Sequence, residues 1–174
     1  MKSYSQAGQD KFVLERHPEP GTFLDIGCND PLHSNNTYAL ELAGWRGLLI
    51  DNDPDVLPLF ELNPRTTPLL ITDALKLDWP MAIFQADLHF KIDYLSLDVD
   101  GPELEILQNL VASGLSFGII TCEHDRCWRG DGNRNAQREF LLGQGYTLAV
   151  PDVRVFDEHS GPEGAEFEDW WVKC

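Results

Sequence analysis

The stretch FLDIGCND, residues 23–30, has the pattern of a buried strand that runs into a polar turn. Its first four residues are typical of a buried strand, and Gly27, Asn29 and Asp30 are typical of the turn that follows. Asp25 is the exception, because a carboxylate inside an apolar strand is costly unless it has a partner or a task. An acid at this place, just before a glycine, indicates a strand whose end faces a ligand.

Apolar runs of strand length alternate with helical patterns along the whole chain. The first five strand-like runs are almost continuously apolar, as expected of strands buried on both faces of a parallel sheet. The predicted strands are 22–27, 47–51, 68–72, 93–98, 117–122, 146–150 and 169–173.

The predicted helices lie between the strands, except at the end of the chain. Helical patterns cover 5–16, 36–43, 55–62, 102–112 and 134–143. The segment 151–168 is rich in Pro, Gly and acidic residues and is predicted to be a loop, so the last two strands must pair antiparallel. The predicted fold is therefore α/β, a Rossmann-like seven-stranded sheet that is mainly parallel, with helices on both faces and an antiparallel last strand.

Length and charge restrict the classes of function. The chain has 174 residues, which fits one domain, and a formal net charge of −16. That charge argues against nucleic acid and anionic membranes as partners, because both are bound through basic patches. The opening MKSYSQAGQDKF has no apolar run and no segment approaches the length of a membrane span, so we expect a cytoplasmic protein.

The four cysteines give no sign of a disulfide framework. Cys28 and Cys122 lie in apolar, strand-like contexts and are expected to be buried, reduced thiols. Cys122, His124 and Cys127 lie close in sequence, but their spacing matches no common zinc site.

Acidic residues stand at the ends of the first four predicted strands. Asp25, Asp51, Asp73 and Asp98 occupy these positions. The carboxyl ends of parallel strands share one edge of a sheet, where ligands of open α/β folds bind, so these acids are expected to converge. The alternative is that each acid caps the helix that follows it.

The sequence around these acids disfavours a phosphate-bearing ligand. Residues 27–33 read GCNDPLH, which is not the G-x-G-x-x-G turn of dinucleotide-binding proteins. A P-loop is also absent from the sequence, and a ring of carboxylates would repel pyrophosphate. S-adenosylmethionine fits better, because it has no phosphate and carries an ammonium, a sulfonium and a ribose with two hydroxyls.

Each acid then has an expected role toward that cofactor. Asp51 accepts from both ribose hydroxyls, Asp25 or Asp98 holds the ammonium, and Asp73 meets the adenine amino group. Gly27 lets the backbone approach the ligand closely. The complete set of predicted cofactor residues is Gln6, Asp25, Gly27, Asn29, Thr37, Asp51, Asn52, Asp73, Ala74 and Asp98.

Three segments resemble the FkbM-type methyltransferases, within the S-adenosylmethionine-dependent class. They are YSQAGQD at 4–10, the run from FLDIGCND through SNNTYALELAGWRGLLIDNDP at 23–54, and IDYLSLDVDGPELEILQNL at 92–110. The resemblance implies a seven-stranded sheet with a reversed final hairpin. It also implies methyl transfer to a hydroxyl of a small-molecule or glycan acceptor. The chain departs from the family at 52–54, where relatives commonly carry Glu-Pro-Asn-like residues, but the acid at 51 is kept.

A second group of chemical residues follows the fifth predicted strand. His124, in CEHD at 122–125, is the predicted general base, with Glu123 or Asp98 orienting it. The alternatives are that His124 is a surface loop residue, or that Asp98, Asp100, Glu123 and His124 hold a divalent cation such as Mg²⁺ or Mn²⁺. His33, in the first loop, is a further candidate for reaching the acceptor.

The expected organisation is one methyltransferase domain over 1–174. Residues 1–20 form an N-terminal helix that covers the cofactor, with Gln6 reaching its methionine end. Residues 21–125 form the cofactor-binding core, and 126–174 form a C-terminal helix and β-hairpin. Two other functions stay open: a cofactor-binding domain without catalytic activity, and a metal-dependent hydrolase built on the four residues of the possible cation site.

Overall fold

A computed structural model describes residues 2–156, 160 and 162–173. Cys174 lies outside the described residues. The strands form one seven-stranded sheet in the order β3-β2-β1-β4-β5-β7-β6. Their bounds are β1 Thr22–Ile26, β2 Arg46–Asp51, β3 Leu69–Ile71, β4 Lys91–Leu97, β5 Ser116–Glu123, β6 Tyr146–Val155 and β7 Ala165–Lys173.

The sheet has the predicted mixed topology. Strands β1 to β5 pair in parallel, and β7 runs antiparallel between β5 and β6. The chain builds outward from β1 through β2 to β3 and then returns to β4 on the other side of β1. That reversal opens a crevice at the carboxyl ends of β1 and β4, which is where open α/β sheets bind ligands.

The prediction of a loop over 151–168 is wrong at both ends. Strand β6 continues to Val155 and β7 begins at Ala165, so the hairpin is longer than the apolar pattern indicates. Pro151 is tolerated because β6 is the edge strand and its pairing with β7 is irregular between Leu148 and Arg154.

The helices described are α1 Gln9–Arg16, α2 Tyr38–Leu42, α3 Leu57–Leu62, α4 Trp79–Gln85, α5 Glu103–Ala112, α6 Arg126–Arg129 and α7 Asp131–Gly143. Short 3₁₀ turns occur at Pro54–Val56 and Ala74–Lys76. The sequence did not predict α4, although Asp78 caps it by accepting from the amide of Met81 at 3.1 Å and Pro80 stands in its first turn.

Both faces of the sheet are buried, as the continuous apolar strands predict. Leu24 and Leu95 belong to the core on one face, and Phe23 and Tyr94 belong to the core on the other. Within the described part of the chain, no helix combines the length and apolar character that crossing a membrane requires.

Candidate functional site

A cavity of about 520 Å³ lies at the carboxyl ends of β1, β2, β3 and β4. Its most unusual feature is its charge, because acidic side chains crowd its wall and none of its described lining residues is a lysine or arginine. The aspartates that line it are Asp25, Asp51, Asp53, Asp73, Asp98 and Asp100.

The predicted cofactor residues meet at this cavity, with one exception. Those that line it are Gln6, Asp25, Gly27, Asn29, Asp51, Asn52, Asp73, Ala74 and Asp98. The exception is Thr37, which is fully buried and donates from Oγ1 to Oδ2 of Asp25 at 2.6 Å. Thr37 therefore holds the acid of β1 in place from behind the cavity wall.

Gly27 also has a packing role that the sequence did not predict. Its φ is +85°, and a Cβ at this position would overlap the backbone carbonyl of Asp98. The glycine thus allows the end of β1 to approach the end of β4, which shapes the crevice from below.

The capping alternative applies to one predicted acid and fails for the others. Asp73 accepts from the amide of Leu75 at 2.9 Å and caps a 3₁₀ turn. Asp51 instead accepts from the amides of Asn29 at 2.9 Å and Asp53 at 3.0 Å, which ties the first two strand-end loops together. Asp25 is bonded to side chains and not to a helix terminus.

A buried ionic network behind the cavity holds the loop that follows β1. The Nε of Arg65 donates to Oε2 of Glu41 at 2.8 Å, and its Nη1 donates to Oδ1 of Asn35 at 3.1 Å. Burial raises the pKa of Glu41, but hydrogen bonds from Thr67, Thr66 and Arg65 outweigh it and bring the pKa to about 2. No sequence pattern points to Arg65, because its partners Glu41 and Asn35 lie far away along the chain.

His124 does not share the cavity with Asp98 and Asp100. Its side chain is fully buried, and its Nδ1 accepts from the amide of Arg126 at 3.2 Å. Its Nε2 lies 3.5 Å from Oδ1 of Asp169 on β7. The expectation that His124 faces this pocket is therefore wrong, because the contact of Nδ1 with the Arg126 amide directs Nε2 toward the hairpin. His33 is exposed and does not line the cavity either.

Asp98 and Glu123 form a hydrogen-bonded carboxyl pair beside the cavity. Asp98 lines the wall, and Glu123 lies behind it, where its Oε2 also accepts from the amide of Asp100 at 3.3 Å. Burial, followed by the charge of the partner, raises the pKa of Glu123 well above its usual range, and burial also raises the pKa of Asp98. Both shifts favour the protonated form of the pair.

The predicted cation site is divided in the structure. Among the described residues, possible ligand atoms of His124, Asp152 and Asp169 lie within 4.8 Å of one another. The same holds for Asp100, Glu123 and Asp125, which form a separate cluster. Asp169 and Asp152 are already paired with Arg138, at 2.7 and 2.9 Å. The four-residue set of Asp98, Asp100, Glu123 and His124 does not converge on one ion.

The N-terminal segment reaches the cavity ahead of its helix. Helix α1 begins at Gln9 and not at residue 5, because the preceding Gly8 has a φ of +94°. Gln6 lies in the bent segment before the helix and lines the cavity. This segment is held by Asp10, which is fully buried and accepts from the amide of Tyr4 at 2.7 Å.

The sequence matches no protein-family model and no curated protein. Its structure is similar to those of class I methyltransferases. A Burkholderia thailandensis 1,6-didemethyltoxoflavin-N1-methyltransferase bound to its substrate and S-adenosylhomocysteine has a TM-score of 0.63 at 14% identity, over 97% of this chain and 78% of that one. A Bacillus cereus O-methyltransferase in complex with S-adenosylhomocysteine has a TM-score of 0.57 at 18% identity, over 95% and 80%. An rRNA methylase from Streptococcus thermophilus has a TM-score of 0.60 at 14% identity, over 100% and 99%. These similarities establish the Rossmann-like methyltransferase fold.

Proposed function

We propose that this protein binds S-adenosylmethionine in the acidic cavity and transfers its methyl group to an acceptor. One observation carries the proposal: the crevice at the β1/β4 switch point is lined by aspartates, with no lysine or arginine among its described lining residues. Such a site repels nucleotide phosphates and suits a phosphate-free nucleoside that carries positive charge. The fold and the S-adenosylhomocysteine bound by two of the similar structures support the same cofactor.

We infer the orientation of the bound cofactor from the positions of the acidic residues. The adenosine half lies toward β2 and β3, where Asp51 accepts from the ribose hydroxyls and Asp73 faces the adenine. The methionine half lies toward β1 and β4, near Asp25 and Asp98. The carboxylate of Asp51 is held in one orientation, because the amides of Asn29 and Asp53 donate to its two oxygens.

Bound S-adenosylmethionine supplies an electrophilic methyl group, so the protein mainly has to bring an acceptor atom into line with it. An oxygen acceptor must lose its proton during the transfer. Asp98 is the member of the predicted catalytic set that lines the cavity, and Glu123 is hydrogen-bonded to it. We propose Asp98 as the proton acceptor and Glu123 as its positioning residue, in place of His124.

The acceptor we propose is a hydroxyl of a small molecule or glycan. The FkbM-type motifs at 4–10, 23–54 and 92–110 support this class. The net charge of −16 disfavours an RNA acceptor, although one similar structure is an rRNA methylase.

Calorimetric titration tests the cofactor. We expect S-adenosylhomocysteine to bind with micromolar affinity in the presence of EDTA and ATP to show no binding, because its phosphates meet the aspartates. Binding of ATP, or binding of S-adenosylhomocysteine only after a divalent cation is added, would contradict the proposal. With hydroxylated acceptors and saturating S-adenosylmethionine, Asp98→Asn is expected to slow turnover, because an asparagine side chain cannot take up the proton.

A further inference from the structure

Asn36 is a cavity residue that the sequence did not single out. It lies in the loop between β1 and α2, is 7% exposed, and lines the cavity. Its Nδ2 donates to Oγ of Ser96 on β4 at 3.0 Å. Its Oδ1 is buried and has no hydrogen-bond partner among the described residues.

The amide of Asn36 is oriented with its nitrogen toward β4. Oγ of Ser96 accepts from Nδ2 of Asn36 at 3.0 Å, so Oδ1 lies on the side of the amide that faces away from Ser96. The carbonyl oxygen of Asn36 is therefore left without a donor at the cavity wall.

A buried carbonyl oxygen without a donor is uncommon, because its desolvation is not compensated. At a cavity wall, the missing donor is supplied by whatever fills the cavity. Asn36 is tied to β4 through Ser96, and the carboxylates of Asp25 and Asp98 line the same β1/β4 end. The part of the cavity at the ends of β1 and β4 therefore suits a ligand group that donates hydrogen bonds and carries positive charge.

We propose that Oδ1 of Asn36 accepts a hydrogen bond from the ammonium group of the bound S-adenosylmethionine. The assignment rests on the proposed function and adds a residue to it. Asn36 fixes the direction of the ammonium, whereas Asp25 and Asp98 supply its counter-charge. The rival donor is the hydroxyl of the methyl acceptor, which would leave cofactor binding independent of Asn36.

Two ligands that differ only at the amino-acid end test the assignment. S-adenosylhomocysteine carries the ammonium, whereas 5′-methylthioadenosine keeps the adenosine and the sulfur but lacks it. We expect Asn36→Ala to weaken S-adenosylhomocysteine about tenfold to a hundredfold, as for loss of a hydrogen bond to a charged group, and to leave 5′-methylthioadenosine within about twofold. Ser96→Ala is expected to show a smaller loss of the same selectivity.

Asn63→Ala, at the exposed end of α3 and away from the cavity, is the matched control and is expected to change neither affinity. Binding of 5′-methylthioadenosine reports that each variant is folded. Unchanged affinity of Asn36→Ala for S-adenosylhomocysteine would overturn the assignment, and so would an equal loss for both ligands. If the wild type bound neither ligand, the proposed function would fall, and this assignment with it.

Discussion

The carbonyl oxygen of Asp98 lies directly against the backbone of Gly27. It occupies the space that the Cβ of any other residue at position 27 would need. The two residues end β1 and β4, the strands on either side of the switch point. Their close approach lets Asp25 and Asp98 line the same cavity. Only a glycine fits at position 27, and the shape of the cavity depends on that fit.

Replacing Gly27 is expected to be severely destabilising. Gly27→Ala combines a φ of +85° with overlap onto a backbone atom that cannot move aside, so we expect a loss of about 3 kcal/mol or more in the free energy of unfolding. Gly8→Ala is the matched control, because Gly8 has a φ of +94° in the left-handed region but nothing within 4 Å of the added Cβ. It should cost only about 1 kcal/mol. Equal losses in urea unfolding would show that the close contact is not important.

Arg65 is expected to be essential to the stability of the loop that follows β1. Its side chain is 1% exposed and its partner Glu41 is 11% exposed, so Arg65→Ala leaves a carboxylate buried without its counter-charge. We expect a loss of about 3 kcal/mol, measured by urea unfolding. The control is Arg46→Ala, whose ion pair with Asp87 is almost fully exposed and should contribute less than about 0.5 kcal/mol.

His124 is expected to support structure and not to act on the acceptor. His124→Ala removes a fully buried side chain that contacts Asp169, so the free energy of unfolding should fall by about 2 kcal/mol. The affinity for S-adenosylhomocysteine and the methyl-transfer rate below the melting temperature should stay within about threefold of wild type. A rate loss of a hundredfold or more at unchanged stability would restore His124 as the base.

Glu168 gives the protein an expected pH dependence of stability. It is fully buried, its Oε1 accepts from the indole N–H of Trp170, and burial raises its pKa from 4.5 to about 8. Between these values the folded state binds the proton and the unfolded state does not, so stability falls as pH rises from about 4.5 to 8. Glu168→Gln should remove up to about 1.4 kcal/mol per pH unit of that slope.

Asp98 and Glu123 contribute to the slope with the same sign, because the pKa of each is also raised. Some slope should therefore remain in Glu168→Gln. The exposed Glu105→Gln is the control for loss of one carboxylate and should leave the slope unchanged. Urea unfolding at intervals from pH 5 to 8 supplies the measurement, and a wild-type stability that rises over this range would contradict the account.

The fold could be predicted from the sequence because its strands are buried on both faces. That burial requires continuous apolar runs such as 47–51, which few other structures produce. The elements that were missed have weaker signals: α4 is one short run capped by Asp78, and the ends of the last hairpin mix acids and Pro151 with apolar residues.

The cavity was more predictable than the residues around it. Asp25, Asp51 and Asp73 lie at or just beyond the carboxyl ends of strands, and sheet topology alone brings strand ends together. His124 directly follows β5, next to Glu123. Successive side chains of an extended chain point to opposite sides, so the His124 side chain lies beside Asp169 and not beside Asp98. Nothing local in the sequence distinguishes those two orientations.

Titration of S-adenosylhomocysteine into Asp51→Ala, beside the wild type, tests the central claim most directly. Asp51 is 8% exposed, lines the cavity at the end of β2, and is assigned to the ribose hydroxyls. We expect micromolar binding to the wild type and at least about tenfold weaker binding to Asp51→Ala. The exposed Asp55→Ala, in the same loop but outside the cavity, should bind like the wild type. Equal affinity of Asp51→Ala and the wild type would contradict the placement of the cofactor, and no binding by the wild type would contradict the proposed function itself.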